Sequence, residues 1–125
     1  MDDEATIRHT TKKILSYLGY KTVIAKDGKE VLDLYMLAKK SGNPFDAVIM
    51  DLTVPGGGGG KETLTKLKKI DPKVKAILSS GYADERTLTN FQRYGFKGVV
   101  IKPYNMEELS ATLHQVIHEA PLDPG

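Results

Sequence analysis

Five side chains in this sequence are of the types that phosphoryl transfer requires. Asp51 follows a short apolar run and is the candidate nucleophile, because a carboxylate can form an acyl phosphate. Asp2 and Asp3 supply oxygen ligands of the kind that Mg²⁺ prefers. Lys102 and Ser79 follow two further apolar runs, and an ammonium and a hydroxyl can hold phosphoryl oxygens. A metal is needed there because it offsets the repulsion between the phosphoryl group and the carboxylates.

The predicted metal ligands are Asp2, Asp3, Asp51 and the backbone carbonyl of Thr53, two residues beyond the nucleophile. The glycine run at 56–60 follows closely. It is not a nucleotide-binding phosphate loop, because the Gly-Lys-Ser/Thr order is absent. We expect it to form a loop beside Asp51.

Helix and strand patterns alternate along the chain and must position these residues. Helical spacing and stop signals predict helices over residues 5–18, 27–41, 61–71, 83–94 and 105–119. Gly19 is the predicted stop of the first of these helices, Asp27 opens the second, and Asn105 with Glu108 forms a capping box at the last. Short β-branched or apolar runs predict strands over residues 20–25, 47–50, 74–78 and 98–101. Strands separated by helices of this length favour a parallel sheet with helices on both faces. The carboxyl ends of such strands meet at one edge, where ligands bind, so the candidate residues should converge there.

Composition narrows the class of protein. The 125 residues suit one domain, 1–125. The net charge of +2 comes from acidic and basic residues that are mixed along the chain, so we expect no nucleic-acid partner. No apolar run approaches the roughly 20 residues that span a bilayer, and the acidic start is unlike a secretory signal. We expect a cytoplasmic domain without membrane contact.

The sequence resembles the response-regulator receiver domains of two-component systems. The motifs that carry the resemblance are Asp2-Asp3-Glu4, Gly19-Tyr20, Ala25-Lys26-Asp27-Gly28, residues 46–51, Pro55-Gly56, Leu78-Ser79-Ser80-Gly81-Tyr82 and Lys102-Pro103-Tyr104. The resemblance implies a flavodoxin-like, doubly wound parallel sheet with strand order 2-1-3-4-5. It also implies phosphoryl transfer onto Asp51 from a histidine kinase or phosphotransfer domain, Mg²⁺ dependence and slow self-catalysed hydrolysis. Such a domain is a phosphoacceptor rather than a conventional enzyme.

The residues of two motifs indicate the kind of protein in which this receiver-like domain occurs. Asp51-Leu-Thr-Val-Pro-Gly-Gly and the Ser-Ser-Gly-Tyr sequence look like those of receivers fused to hybrid sensor histidine kinases. The resemblance therefore implies that the parent protein is a hybrid sensor kinase.

The chain departs from the receiver pattern at its start. Receivers carry an apolar strand before the acidic pair, and here only Met1 precedes Asp2. Without that strand its two neighbours would leave backbone groups unpaired. Three explanations remain open: a strand lies upstream of Met1, the start was assigned at an internal Met, or another chain fills the gap in a strand-exchanged homodimer. We favour a truncated start.

A second departure concerns switching. Receivers place an aromatic residue three positions before the site lysine, and here that position is Val99. A valine has no ring to move, so the usual coupling through Ser79 is not expected. Tyr82 and Tyr104 are candidate substitutes, although packing roles are favoured for both.

Three other functions are alternatives to the receiver function, and two of them require residues that can be checked in the sequence. A haloacid-dehalogenase-like hydrolase would need a second Asp two residues after the nucleophile, and Thr53 stands there. A flavodoxin-like electron carrier would need a hydroxyl-rich phosphate loop where the acidic pair lies. A degenerate, non-phosphorylated interaction module is the alternative that remains if the missing strand is genuine.

Overall fold

The computed structural model describes residues 5–51, 60–80, 90–102 and 104–118, apart from the side chains of Ala5 and Ile7. Four helices and three strands lie within these ranges. In chain order they are α1 (Ala5–Tyr17), α2 (Gly28–Lys40), β1 (Val48–Asp51), α3 (Gly60–Ile70), β2 (Ala76–Ser80), β3 (Gly98–Ile101) and α4 (Met106–His118).

The three strands form a parallel sheet in the order β1-β2-β3. Asp51 lies opposite Ser79 on the next strand, and Ser80 lies opposite Ile101. The predicted strands at 47–50, 74–78 and 98–101 are thus confirmed, with ends that shift by one or two residues. Their order agrees with the last three strands of the predicted arrangement.

Two apolar clusters cover the two faces of this sheet. One contains Val31 and Tyr35 of α2 together with Leu64 and Leu67 of α3, packed with Leu78. The other is formed by Leu15, Ile77, Val100, Leu109, Leu113 and Val116, which come from α1, α4 and the strands. Because successive side chains of a strand point to opposite faces, Ile77 and Leu78 enter different clusters. Helices on both faces confirm the α/β architecture.

The helix ends follow their local sequence signals. Gly19 has φ +93°, and the N–H groups of Gly19 and Tyr20 donate to Ser16 O and Leu15 O at 3.0 and 2.9 Å. This is the Schellman pattern that ends a helix at a left-handed glycine. Asp27 caps α2 by accepting from Glu30 N at 3.0 Å. Both predicted signals are therefore confirmed.

The start of α4 also agrees with its sequence. Asn105 Oδ1 accepts from the N–H groups of Glu107 and Glu108 at 2.8 and 3.2 Å. An N-cap side chain satisfies amides that have no partner within the helix. The cap fixes where the chain turns after Lys102.

The strand predicted at residues 20–25 is wrong. These residues form no strand, although exposure alternates from residue 21 to residue 24, with Lys21 and Val23 exposed and Thr22 and Ile24 half-buried. A strand exists only where a neighbour completes its hydrogen-bond ladder. Among the described residues no strand lies beside this segment, so the β-branched sequence has the alternation of a strand without its pairing.

A groove of about 630 Å³ separates residues 20–25 from β1. Its lining includes Val31 and Tyr35 from one apolar cluster and Leu15 and Leu113 from the other. The groove therefore opens the core on both faces of the sheet at once. In the predicted strand order 2-1-3-4-5, the first strand would lie between these two segments.

Several predicted elements fall wholly or partly outside the described ranges. Residues 83–89 of the helix predicted over 83–94 and residues 56–59 of the glycine run lie there. At the loop's end, Gly60 is the buried first residue of α3 rather than a loop residue. Within the described ranges, no helix has the length and apolar content needed to cross a bilayer.

Candidate functional site

Asp51 and Lys102 form an ion pair at the carboxyl edge of the sheet. Lys102 Nζ donates to Asp51 Oδ2 at 3.0 Å, and the side chains are 18% and 20% exposed, respectively. Half-burial strengthens the attraction relative to a surface pair while leaving the carboxylate accessible. The structure thus brings together the two residues on which the predicted chemistry depends most.

Strand order explains how these distant residues meet. Asp51 ends β1 and Lys102 follows β3, so β2 lies between them. The N–H of Lys102 donates to Ser80 O at 2.7 Å, which extends the ladder one residue beyond β3. From that position the lysine side chain crosses the end of β2 to reach the carboxylate.

Ser79 lies at the same edge but is not open to solvent. Its exposed fraction is 1%, and its Oγ lies 2.6 Å from Tyr104 Oη, a distance typical of a hydroxyl pair. The register places Ser79 directly opposite Asp51. Ser80, the next residue, is half-buried and has a polar partner of its own.

The other predicted site residues divide into two groups. Asp2, Asp3 and the Thr53 carbonyl lie outside the described residues. Val99 is half-buried and packs against the apolar cluster that contains Leu78. Because Val99 lies opposite Leu78 in the ladder and Ser79 is the next residue of β2, their side chains leave the sheet on opposite faces.

The described part of the site fits a hard divalent cation. Asp51 supplies carboxylate oxygens, of which Oδ2 accepts from Lys102. Mg²⁺ needs only one or two protein carboxylates, since water and phosphate oxygens complete its octahedron. Within the described ranges no three acidic, histidine or cysteine side chains cluster, and the other predicted carboxylates lie beyond those ranges.

The role of Tyr104 as a hydrogen-bond partner was not foreseen. Sequence reasoning favoured packing, and the ring does pack against the cluster that contains Val100. Its hydroxyl also meets Ser79, and no periodicity signals such a contact. The only available hint was the position of Tyr104, two residues after the site lysine.

Comparison with known proteins places this geometry in a family. The chain is 28% identical over 117 residues to the chemotaxis protein CheY of Thermotoga maritima, and the match covers 93% of this chain and 92% of that protein. It is 27% identical over 119 residues to the sensor kinase CckA of Brucella abortus, which covers 95% of this chain but 12% of the kinase. The chain thus spans nearly all of one relative and a small part of another.

Solved structures share the fold. A response regulator receiver domain protein from Clostridium thermocellum is 28% identical with a TM-score of 0.78, covering 93% of this chain and 89% of that one. The response regulator TrrA of Thermotoga maritima, solved in complex with Mg²⁺ and BeF, is 28% identical with a TM-score of 0.74, covering 92% and 93%. These likenesses confirm the predicted flavodoxin-like fold.

The family model described as the response regulator receiver domain matches residues 1–114, which is most of the chain. The match contains every residue of the candidate site. The resemblance seen in the sequence is therefore confirmed. This chain belongs to the response regulator receiver domain family.

Proposed function

We propose that Asp51 accepts a phosphoryl group from the phosphohistidine of a histidine kinase or phosphotransfer domain. The observation that carries the proposal is the 3.0 Å contact between Lys102 Nζ and Asp51 Oδ2 at the carboxyl edge of a parallel sheet. A carboxylate and an ammonium in contact at that edge are a nucleophile beside a group that can stabilise its phosphorylated product.

The transfer is a direct displacement at phosphorus. An Asp51 carboxylate oxygen forms the new P–O bond while the P–N bond of the phosphohistidine breaks. The electron pair of that bond leaves with the imidazole nitrogen, and the product is an acyl phosphate on Asp51. Lys102 then holds a phosphoryl oxygen instead of the free carboxylate, which stabilises the added negative charge. Attack by water on the acyl phosphate would reverse the modification slowly.

Mg²⁺ is the proposed metal, held by the Asp51 carboxylate with Asp2, Asp3 and the Thr53 carbonyl. It would supply a positive charge that lets phosphoryl oxygens approach the carboxylates. The donor types support this assignment, since all four ligands are hard oxygens. The TrrA relative, solved with Mg²⁺ and BeF, supports it further.

A hydroxyl at the end of β2 is the second proposed phosphoryl contact. For Ser79 to donate, its hydroxyl must turn toward the carboxylate from a buried position where it meets Tyr104 Oη at 2.6 Å. Ser80 is half-buried at the same strand end. Comparing the rates of Ser79→Ala and Ser80→Ala distinguishes the two, because loss of the donor slows phosphorylation even when folding is intact.

A hybrid sensor histidine kinase is the proposed parent protein, with this domain on the cytoplasmic side. The match to 12% of the length of the sensor kinase CckA supports that context. The match over 92% of the chemotaxis protein CheY supports the alternative that a domain of this length stands alone as a protein. Reading the coding sequence on both sides of this domain tests the proposal, since a kinase core in the same frame is required.

For the assembly we propose a homodimer in which an extended segment of a second copy enters the groove beside β1. The groove borders both apolar clusters, so its occupant must be apolar on both faces, as a buried parallel strand is. Residues 20–25 include the consecutive apolar residues Val23, Ile24 and Ala25 and have no ladder partner in the described structure, which makes them the candidate segment.

Acetyl phosphate with Mg²⁺ tests the phosphoacceptor role directly. Intact mass spectrometry should detect one added phosphoryl mass in the wild-type chain and none in Asp51→Asn. Asp33→Asn is the matched control, because it removes an exposed carboxylate from α2 and should leave the added mass unchanged. Removal of Mg²⁺ with a chelator should also prevent the modification.

Two outcomes would contradict the proposal. Modification that persists in Asp51→Asn would place the phosphoryl group on another residue. A folded wild-type chain that gains no mass, even with a phosphorylated histidine kinase as donor, would favour the degenerate interaction module instead. Circular dichroism of each sample establishes that the chain is folded.

A further inference from the structure

We propose that Tyr104 is a positioning residue for Lys102, and that it acts through its hydrogen bond to Ser79. This inference rests on the proposed function of Asp51 and extends it to a residue outside the predicted site. The juxtaposition that carries it is a 2.6 Å contact between Tyr104 Oη and Ser79 Oγ, beside the Lys102–Asp51 ion pair.

Lys102, Tyr104 and Asn105 lie in neither a helix nor a strand. β3 ends at Ile101 and α4 begins at Met106, so Lys102 stands on the connection between them. A lysine side chain has high rotational freedom, so its reach to Asp51 depends on a backbone held in one place. The connection therefore needs tethers if the ammonium is to meet the carboxylate reproducibly.

Two tethers attach this connection to adjacent residues of β2. The N–H of Lys102 donates to Ser80 O at 2.7 Å, and Tyr104 Oη meets Ser79 Oγ at 2.6 Å. One tether is at the lysine itself and the other is two residues further on. Together they fix both ends of the short stretch from which the ammonium extends.

Burial favours the hydrogen-bonded arrangement of the second tether, the contact between Ser79 and Tyr104. Ser79 is 1% exposed and lies opposite Asp51, while the half-buried Tyr104 ring packs against the cluster that contains Val100 and Leu109. A buried hydroxyl that loses its partner is costly, so the pair has a strong preference for the bonded arrangement. Tyr104 thus couples the apolar core to the position of the catalytic lysine.

A double-mutant cycle on the full chain tests this role. Tyr104→Phe keeps the ring and removes the hydroxyl, and we expect about a tenfold slower phosphorylation by acetyl phosphate with Mg²⁺, because small misplacement of a reacting group lowers rates steeply. In a Lys102→Ala background the same substitution should cause no further loss. Tyr17→Phe on the exposed face of α1 is the matched control and should have no effect in either background.

A second readout does not depend on phosphorylation. NMR relaxation of the Lys102 side-chain ammonium and its adjacent carbon should show restricted motion in the wild-type chain and increased motion in Tyr104→Phe. If the wild-type chain accepts no phosphoryl group but Lys102 loosens in the variant, the proposed function fails while the positioning role stands. If rate and motion are unchanged in Tyr104→Phe, or if the rate falls equally in both backgrounds, the positioning role is overturned.

The double-mutant cycle requires that Tyr104→Phe folds. Should Tyr104→Phe be unfolded at the assay temperature, Ser79→Ala removes the same bond from the β2 side. Because Ser79 is itself a proposed phosphoryl contact, the readout for this variant is the motion of the Lys102 side chain, which should increase. Unchanged lysine motion in folded Ser79→Ala would equally overturn the role.

Discussion

Lys102 makes a direct ion pair with the proposed nucleophile, Asp51. The ammonium donates to Oδ2 at 3.0 Å in a site where both side chains are about one-fifth exposed. On phosphorylation the same ammonium would exchange a carboxylate oxygen for a phosphoryl oxygen of greater negative charge. In the proposed transfer the lysine would interact more strongly with the charge that develops on the phosphoryl group than with the free carboxylate, which is the condition for accelerating that step.

Replacing Lys102 with alanine tests this exchange. We expect Lys102→Ala to slow phosphorylation by acetyl phosphate by about 100-fold, in the range seen when one transition-state donor is removed. Binding of Mg²⁺, measured by isothermal titration calorimetry, should remain largely intact, because the metal ligands are oxygens. Lys97→Ala, an exposed lysine just before β3, is the matched control. Loss of Mg²⁺ binding in Lys102→Ala would contradict the assignment.

At the level of single residues, the sequence predicts that Asp51 and Lys102 meet. It does not predict the hydrogen bond between Ser79 and Tyr104 that lies beside them. Asp51 and Lys102 were identifiable because each follows an apolar run whose end must lie at one sheet edge. The Ser79–Tyr104 bond was not, because it depends on side-chain direction after β3, which no spacing rule specifies. Asp2, Asp3 and Thr53 remain predictions, since they lie outside the described residues.

At the scale of the secondary-structure elements, the residue that ends α1 can be tested by a single substitution. Gly19 has φ +93°, and a Cβ built on it meets no atom within 4 Å. Substitution there therefore measures backbone strain without a packing contribution.

Gly19→Ala should lower the free energy of unfolding by about 1–2 kcal/mol, because an L-residue with a Cβ is strained in the left-handed region. Urea denaturation followed by circular dichroism gives the value. Ser16→Ala, an exposed position on α1, is the control and should change stability by no more than about 0.5 kcal/mol. An unchanged unfolding free energy in Gly19→Ala would show that α1 ends differently in solution.

A long-range hydrogen bond ties α2 to the chain after α3. The hydroxyl of Tyr35 donates to Asp71 Oδ2 at 2.7 Å. Burial and this bond raise the pKa of Tyr35 above its ordinary value. The same bond holds the pKa of Asp71 below its ordinary value of 3.8. A depressed carboxyl pKa contributes stability above its unfolded value and loses it as pH falls through the folded value.

Tyr35→Phe should therefore cost about 1 kcal/mol of unfolding free energy in the middle of the pH range. The cost should be largest between about pH 5 and about pH 9 and should shrink on acidification as Asp71 becomes protonated. Urea titrations at several pH values, with Asp71→Asn as a second variant, measure the dependence. A cost that stays constant into acid would show that the bond is absent in solution.

Element prediction succeeded where the local pattern alone decides the outcome. Helix ends at Gly19, Asp27 and Asn105 and the apolar run of β1 were all identified, because caps and apolar runs act over a few residues. The strand prediction at residues 20–25 was wrong because strand formation there does not depend on the local pattern alone. Its sequence favours a strand, yet pairing depends on a neighbour that no residue within the segment supplies.

At the scale of the whole molecule, the groove beside β1 separates the well-packed three-stranded sheet from residues 20–25. β2 lies between two strands, and Ala76, Ile77 and Leu78 are fully buried. Residues 20–25 face the groove instead. Stability should therefore differ strongly between the two regions of one small domain.

Hydrogen exchange should reveal this difference. In a sample shown to be monomeric by light scattering, the amides of residues 20–25 should exchange quickly and those of β2 slowly, because only β2 has ladder partners on both sides. Raising the protein concentration should protect residues 20–25 as the proposed homodimer forms. Strong protection of that segment in a proven monomer would contradict both the open groove and the proposed dimer.

The groove also gives this chain a use as one half of a split reporter. Because the cleft reaches both apolar layers, a short β-branched peptide fused to an unrelated protein would lie beside β1 only when the two are brought together. Pairing with the peptide would steady β1, whose last residue is the proposed nucleophile, so that acceptance of a phosphoryl group becomes the signal of proximity.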